Sequence, residues 1–175
     1  RFNSLAQTPL NHTAPGVPVI YQGTELWNIS LVDPDKRRPV DFELRKRLLK
    51  ELDNLTPEAI LARTDEGLPK FWVIRQALRL RHRRPEVFGP KASYRALEAK
   101  GTKAKHAVAY LRGDVVLTVA PRLVLGLKGD WEDTLLNLPG GRWLNVLTGD
   151  DVKGGEIQIT ELAARFPVGL FEREE

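Results

Sequence analysis

Apolar residues in the first half of the chain recur at the spacing of an α-helix. Over residues 2–13 they predict a helix, which Pro9 shortens or kinks because proline cannot donate a backbone hydrogen bond. A second helix is predicted at 42–53, with Asp41 as its capping residue. The basic residues of this helix are expected to face solvent, opposite its leucine stripe: Arg45, Lys46, Arg47 and Lys50.

Two more helices follow in the pattern. Thr56 and Pro57 together signal the start of a short helix at 57–63, and Gly67 marks the point where it stops. A broad apolar stripe then predicts a helix at 69–84. This helix ends in a run of arginines, which interact favourably with a helix C-terminus, so its basic character has a structural explanation.

From about residue 92 the pattern changes to short β-branched and aromatic runs separated by glycine-rich turns. The predicted strands are 93–98, 106–112, 115–120, 134–138, 142–147, 156–160 and 167–172. Predicted turns include Gly113-Asp114, Pro139-Gly140-Gly141 and Gly154-Gly155. Strands this closely spaced favour antiparallel pairing, so the second half of the chain is predicted to be a β-sandwich.

One short apolar run in the helical half has the composition of a strand. Residues 17–21 are β-branched and aromatic and end before Gly23, so they predict a strand buried on both faces. A parallel strand of this kind needs a hydrogen-bonded neighbour on each side. Because the chain offers no such neighbours, we expect residues 1–35 to be disordered, exchanged with another copy or docked irregularly on the helices.

The polar loop that follows this run concentrates carboxylates, arginines and aromatic rings. The candidate binding residues are Tyr21, Glu25, Trp27, Asp33, Asp35, Arg37 and Arg38. Such a mixture suits a polyhydroxylated ligand, because charged groups hydrogen-bond to hydroxyls and an aromatic ring covers the apolar face of a sugar. The alternative is an internal ion-pair latch, in which an arginine of the loop pairs with Asp33 or Asp41. On the pattern alone the latch is favoured, because charge-rich loops usually pair with themselves.

Two consecutive motifs in this region resemble a known enzyme family. Residues 15–27 read P-G-V-P-x-I-Y-Q-G-T-E-L-W, and residues 31–41 read L-V-D-P-D-x-R-R-P-V-D. Together they resemble the eighth barrel strand and following loop of maltooligosyltrehalose synthases, in the α-amylase superfamily. Val19 and Lys36 depart from the family pattern, in which Asp and Asn are usual at these positions. The resemblance is strongest over residues 14–52 and rests on the order of elements after residue 90.

The resemblance implies a fold class and a division of the chain. The implied class is α+β: residues 1–90 are the end of a (β/α)8 catalytic barrel, with its last strand and helices, and residues 91–175 are an all-β antiparallel C-terminal sandwich. Loops at the C-terminal ends of barrel strands form the active site in such folds, so the candidate loop would line the substrate cleft. Because the chain contains no Met and begins at Arg1, we expect it to be the tail of a longer polypeptide.

The activity that the resemblance implies is an isomerase reaction of the intact enzyme. The reducing-end α-1,4 linkage of a maltooligosaccharide becomes an α,α-1,1 linkage by intramolecular transglucosylation in trehalose biosynthesis, without a cofactor. In the family the nucleophile Asp, the acid/base Glu and a stabilising Asp lie on earlier barrel strands, so no catalytic residue is assigned in this chain. The chain alone is therefore expected to be inactive. Its implied partners are the maltooligosaccharide and the missing N-terminal barrel of the same polypeptide.

The composition and charge of the chain indicate whether nucleic acid, a membrane or a metal ion is expected as a partner. The net charge is +4, but the basic excess lies in helical runs that lack a nucleic-acid-binding signature, so we expect no nucleic-acid partner. A basic interaction module for nucleic acid is a third, less favoured hypothesis. No apolar run of about eighteen residues and no signal-peptide pattern is present, which favours a soluble cytoplasmic protein with no membrane partner. With zero Cys and three His that lack ligand spacing, no metal site is expected.

Two tryptophans in the second half support a hypothesis of another class. If exposed, Trp131 and Trp143 would form a stacking platform for a glycan, and the chain would be a non-catalytic carbohydrate-binding β-sandwich module. An aromatic residue in the core or on a sheet face is the simpler interpretation. Surface or capping positions are expected for the histidines: His12, His82 and His106.

Overall fold

The computed structural model describes residues 1–28, 30 and 37–174. Within these ranges the helices are α1 (Phe2–Thr13), α2 (Phe42–Glu51), α3 (Pro57–Ala62), α4 (Leu68–Arg83), α5 (Pro85–Phe88), α6 (Val124–Leu127) and α7 (Ile159–Leu162). Single 3-10 turns occupy Leu52–Asn54, Thr64–Glu66 and Ala104–His106. The helices predicted in the first half are therefore confirmed, with boundaries that differ by one or two residues.

Local capping interactions begin and end these helices. Asp41 Oδ1 accepts a hydrogen bond from the backbone nitrogen of Leu44 at 2.8 Å, and Thr56 Oγ1 accepts one from Ala59 at 3.2 Å. Gly67 has a φ of 83°, a left-handed conformation that glycine adopts without strain, and it separates the preceding turn from α4. The capping roles expected of Asp41 and Thr56 are confirmed.

The strands of the second half form one antiparallel sheet. They are β1 (Tyr94–Leu97), β2 (Ala107–Arg112), β3 (Val116–Pro121), β4 (Leu135–Asn145), β5 (Asp151–Gln158) and β6 (Gly169–Glu174). In the part of the chain that the structure describes, the sheet has six strands in the order β1-β2-β3-β6-β4-β5. The predicted α+β class with an antiparallel C-terminal half is confirmed. The predicted sandwich takes the form of a single curled sheet, because β6 pairs with both β3 and β4 and joins the two halves.

Two apolar clusters cover the two faces of this sheet. Side chains alternate along β3, and Leu117 and Val119 belong to a cluster that also contains Trp143. Val116 and Ala120 point the other way and belong to the second cluster, which includes buried residues of α1, α2 and α4. All five residues at 116–120 are buried, because both faces of the sheet are covered here. Helices and sheet share this second cluster, and the predicted boundary between residues 90 and 91 stays a prediction.

Two of the predicted turns lie inside strands. Residues 139–141 belong to β4, which pairs with β5 on both sides of an irregularity between Leu138 and Arg142, so they form a bulge in one strand. The Gly154-Gly155 pair lies within β5. A Cβ on Gly154 would lie 2.0 Å from the carbonyl oxygen of Pro139, so the close approach of the two strands requires glycine.

Residues 17–21 are not part of a strand. Val17 is 90% exposed, and no (β/α)8 barrel is present in the described residues. The segment forms no strand because a parallel strand depends on neighbours, and the described strands of this chain pair with one another, which agrees with the irregular docking expected for it. Residues 2–13, in contrast, form one helix that continues past Pro9, so Pro9 does not shorten it. The irregularity expected over residues 1–35 therefore does not extend to α1.

A buried polar network joins the end of α1 to the sheet. The hydroxyl of Thr13 donates to the carbonyl oxygen of Pro9 at 2.7 Å. It also lies 2.7 Å from the hydroxyl of Tyr110 and 2.8 Å from that of Thr118. Tyr110 and Thr118 belong to β2 and β3, so the network fixes the position of α1 against the centre of the sheet.

Candidate functional site

The turn at residues 21–27 approaches the start of α2 closely. Gly23 has a φ of 87°, and a Cβ built on it would lie 2.9 Å from Cγ2 of Val40. Glycine is favoured here by its freedom at positive φ and by its small size. A backbone hydrogen bond from Thr24 to the carbonyl of Tyr21, 3.1 Å long, closes the turn. The turn is therefore compact and lies against the residues that precede α2.

Arg45 joins this turn to α2. Its Nε donates to Glu25 Oε2 at 2.7 Å, its Nη2 donates to the carbonyl of Gly23 at 2.8 Å, and its Nη1 donates to the carbonyl of Asp41 at 3.0 Å. The side chains of Arg45 and Glu25 are 16% and 21% exposed, so the ion pair is largely shielded from solvent. The expectation that Arg45 faces solvent is wrong, because the turn covers this part of α2.

The carboxylate of Glu25 is held from both sides. Oε1 accepts a hydrogen bond from the backbone nitrogen of Gly23 at 3.2 Å, and Oε2 accepts one from Arg45. Burial acts to raise the pKa of Glu25, but the hydrogen bonds from Arg45 and the backbone outweigh it and lower the pKa below its usual value. Glu25 is therefore charged at neutral pH and fixed in orientation.

Trp27 is anchored at the other end of the turn. Its Nε1 donates to the carbonyl of Thr64, and the ammonium group of Lys70 donates to the carbonyl of Leu26 at 3.1 Å. A Cβ on Gly67 would lie only 3.0 Å from the backbone nitrogen of Trp27. These contacts attach residues 26 and 27 to the connection between α3 and α4, and they leave the indole ring half-buried.

A cavity of about 530 Å³ lies between this turn and the residues that precede α2. Side chains from both sides line it, among them Gln22, Trp27, Asn28, Arg38, Asp41 and Arg45. An aromatic ring, guanidinium groups and amide groups thus border one space. This combination is suited to a ligand with many hydroxyl groups.

Only some of the candidate binding residues that the structure describes line the cavity. Trp27 and Arg38 are in its lining. Glu25 belongs to the ion pair with Arg45, and Tyr21 and Arg37 are exposed. Of these residues, the structure therefore brings Trp27 and Arg38 together at one space.

Two candidate residues, Asp33 and Asp35, lie outside the described residues. A latch through Asp33 lies outside them too. The other residue considered for the latch, Asp41, uses its side chain to cap α2 through the backbone of Leu44. Both the binding loop and the latch therefore stay predictions.

Arg45 is the residue that sequence reasoning missed at this site. On an isolated helix its position falls on the polar side, so periodicity predicts exposure. The spacing of Arg45 from Asp41 could have indicated its contact. Arg45 follows the capping residue by four positions, and a long side chain at that position can reach back over the first helical turn. What covers that turn depends on the distant segment at residues 21–27.

The tryptophans considered for glycan stacking and two of the three histidines are buried. Trp143 is fully buried and donates from Nε1 to the carbonyl of Pro139 at 3.0 Å, and Trp131 is 8% exposed, so their interpretation as core aromatics is confirmed. Of the histidines, for which surface or capping positions are expected, His82 is exposed, whereas His12 and His106 are buried and therefore not surface residues. Among residues 1–28, 30 and 37–174, no group of three His, Cys, Asp or Glu residues is placed to hold a metal ion. In the same ranges, no helix has the length and apolar character to cross a membrane.

The fold of the chain is similar to part of a larger solved enzyme, and its sequence is similar to parts of curated enzymes of carbohydrate metabolism. Neopullulanase 2 from Thermoactinomyces vulgaris is 29% identical over 150 residues, which are 83% of this chain and 21% of that protein. No family model matches the chain.

Relatives with higher sequence identity to this chain are named maltooligosyltrehalose synthase. A putative maltooligosyl trehalose synthase from Mycobacterium tuberculosis is 42% identical over 173 residues, which are 98% of this chain and 20% of the relative. The solved structure of maltooligosyltrehalose synthase from Arthrobacter ramosus matches with a TM-score of 0.87 and 41% identity, over 99% of this chain and 22% of that one. The resemblance to the C-terminal portion of maltooligosyltrehalose synthases is confirmed. The chain spans about 20% of the length of the curated relatives of that name.

Proposed function

We propose that this chain is the C-terminal part of a maltooligosyltrehalose synthase that acts in trehalose biosynthesis. The observation that carries the proposal is the similarity of almost the whole chain to relatives of that name, at 42% and 41% identity. In the proposed reaction, the reducing-end α-1,4 linkage of a maltooligosaccharide becomes an α,α-1,1 linkage by intramolecular transglucosylation. The proposal includes a cytoplasmic location and no cofactor.

The cavity beside α2 is proposed as one wall of the maltooligosaccharide cleft. Trp27 would cover the apolar face of a glucose ring, and Arg38 would donate hydrogen bonds to its hydroxyls. The remaining candidates, Tyr21, Glu25, Asp33, Asp35 and Arg37, are proposed to belong to the same binding loop, with Glu25 acting through its ion pair with Arg45. A pocket of about 530 Å³ is of the size that holds a small ligand, so the rest of a longer substrate would contact other parts of the intact enzyme.

The reacting carboxylates are proposed to come from the N-terminal barrel of the same polypeptide. Glycosidic chemistry with retention needs two carboxyl groups about 5–5.5 Å apart, one as nucleophile and one as acid/base. The carboxylates of Glu25 and Asp41 hold the turn and cap α2, and their protein partners restrict them from moving to a substrate. The chain alone would therefore bind part of the substrate without converting it.

The test compares the chain alone with the full-length polypeptide that contains it. Each is incubated with maltopentaose, and the loss of reducing ends is followed together with the anomeric proton signal of an α,α-1,1 linkage. A boiled sample of each protein serves as the control. We expect conversion by the full-length polypeptide and none by the chain alone.

Two results would contradict the proposal. Conversion by the chain alone would show that the carboxylate assignment is wrong. A full-length polypeptide that releases glucose or maltose without forming the α,α-1,1 linkage would be a hydrolase, and the transglucosylase assignment would fail.

A further inference from the structure

Arg45 occupies a central position between three backbone segments of the site. Its guanidinium contacts the carboxylate of Glu25, the carbonyl of Gly23 and the carbonyl of Asp41 at distances of 2.7, 2.8 and 3.0 Å. A guanidinium has five N–H donors in a rigid fork, so one side chain can hold acceptors that lie in different directions. Arg45 thereby connects the turn at 21–27, the capping residue of α2 and α2 itself.

Within the described part of the chain, side-chain hydrogen bonds attach both ends of the turn, and Arg45 holds the end nearest to α2. At the far end, Trp27 and Leu26 are attached through Thr64 and Lys70. These far contacts fix Trp27 relative to the connection between α3 and α4, but they do not fix its distance from the opposite wall of the cavity. That wall is formed by the segment that contains Arg38 and precedes α2.

The ion pair is shielded enough for its loss to matter. Glu25 and Arg45 are 21% and 16% exposed, and removal of one partner leaves the other charge in a partly buried place. The remaining carboxylate of Glu25 would then turn towards solvent, because its hydrogen bond from Gly23 is the weaker one at 3.2 Å. The turn would lose its contact with α2, and the cavity would widen.

We propose that Arg45 is a positioning residue, which holds the turn at 21–27 at a fixed distance from the start of α2 and so sets the width of the cavity between Trp27 and Arg38. The part of this inference that concerns substrate rests on the proposed function above. In the intact enzyme, Arg45 would act on maltooligosaccharide affinity through the shape of the cavity, without contact to the reacting bond. Lysine cannot replace it, because one ammonium group cannot span the three acceptors.

The first experiment tests the geometry in the chain alone. Amide spectra of Arg45→Gln and Arg45→Lys are compared with those of Arg47→Gln, a matched control on the same helix whose side chain is 68% exposed. We expect shifted signals for Gly23, Thr24 and the indole of Trp27 in both Arg45 variants, with the sheet signals unchanged. Glu25→Gln removes the other partner and should shift the same signals. Unchanged signals in the turn for all three variants would overturn the proposal.

The second experiment measures kinetics in the full-length polypeptide. For Arg45→Gln and Arg45→Lys we expect the KM for maltopentaose to rise by at least about tenfold with kcat reduced less than about threefold, because a displaced binding wall mainly weakens binding. Arg47→Gln should behave like the wild type. Arg45 variants with the kinetics of Arg47→Gln, or with kcat reduced and KM unchanged, would overturn the proposal.

The two experiments separate this inference from the proposed function. An inactive wild-type full-length polypeptide would refute the proposed function and the substrate part of the inference. The spectra of the chain alone would still decide whether Arg45 holds the turn, since they require no activity.

Discussion

Replacement of Thr13 by valine tests how α1 is held on the sheet. The hydroxyl of Thr13 is fully buried and has three oxygen neighbours, in Pro9, Tyr110 and Thr118. The carbonyl of Pro9 can only accept, so the single hydroxyl proton of Thr13 goes to it. The hydroxyls of Tyr110 and Thr118 must then both donate to Thr13. Valine has almost the same shape, so Thr13→Val removes this acceptor with little change in packing.

The expected loss follows from the two stranded donors. A buried polar group without a partner costs about 1–3 kcal/mol, so two of them give about 2–6 kcal/mol. We expect about 2–4 kcal/mol in the free energy of unfolding, because hydroxyl protons rotate and one of the two can find another acceptor. For a chain of this length, each kcal/mol lowers the Tm by about 2–4 °C.

Urea unfolding followed by circular dichroism and by tryptophan fluorescence measures this loss. Coincidence of the two curves would establish the two-state behaviour that the free energies require. The control is Thr160→Val at an exposed threonine, for which we expect a change within about 0.5 kcal/mol.

The triple variant Thr13→Val, Tyr110→Phe and Thr118→Val decides whether the reasoning is correct. It removes the stranded donors together with the acceptor, so it should be no less stable than Thr13→Val alone. If Thr13→Val costs less than about 1 kcal/mol, or if the losses of the three single variants simply add in the triple variant, the network does not act as described.

Three further results are expected. Burial lowers the pKa of His12 from 6.5, so on acidification the unfolded state binds a proton before the folded state does. The free energy of unfolding should therefore fall as the pH drops below about 6.5. His12→Gln should make the free energy of unfolding less dependent on pH in that range. The hydrogen bond from Arg165 lowers the pKa of Glu58 from 4.5 to about 2. The stability that this pair contributes is therefore complete above pH 4.5 and is lost as the pH falls towards 2. Arg165→Gln should weaken the dependence of the Tm on pH in this window, and an unchanged pH profile would contradict the role of the pair. Gly101→Ala should destabilise the chain by at least about 1 kcal/mol more than Gly129→Ala in urea unfolding. Both glycines have a positive φ, but only at Gly101 would the added Cβ lie 2.8 Å from a backbone carbonyl oxygen. Equal losses in the two variants would show that backbone strain accounts for the whole effect.

Local sequence signals determined the helical half well. Asp41, Thr56 and Gly67 each act through hydrogen bonds or a φ angle within a few residues, so their roles can be predicted without knowledge of the fold. The Gly113-Asp114 turn between β2 and β3 is of the same kind, with φ values of 57° and 56°. The two motifs at 15–27 and 31–41 also indicated the family resemblance, because they depend on the order of residues alone.

The tertiary structure decided the features that depend on distant segments. Residues 17–21 have the composition of a strand, and the lack of parallel neighbours already predicted that they would not pair as one; the structure adds that the residues before them form the ordered helix α1. Residues 139–141 have the composition of a turn, yet they are a bulge because β4 continues to pair with β5 beyond them. Arg45 has the helical spacing of an exposed residue, yet the turn about twenty positions away covers most of its side chain. Periodicity and capping describe interactions over a few residues, whereas strand pairing and burial depend on which remote segments meet, and that is fixed only when the whole chain folds.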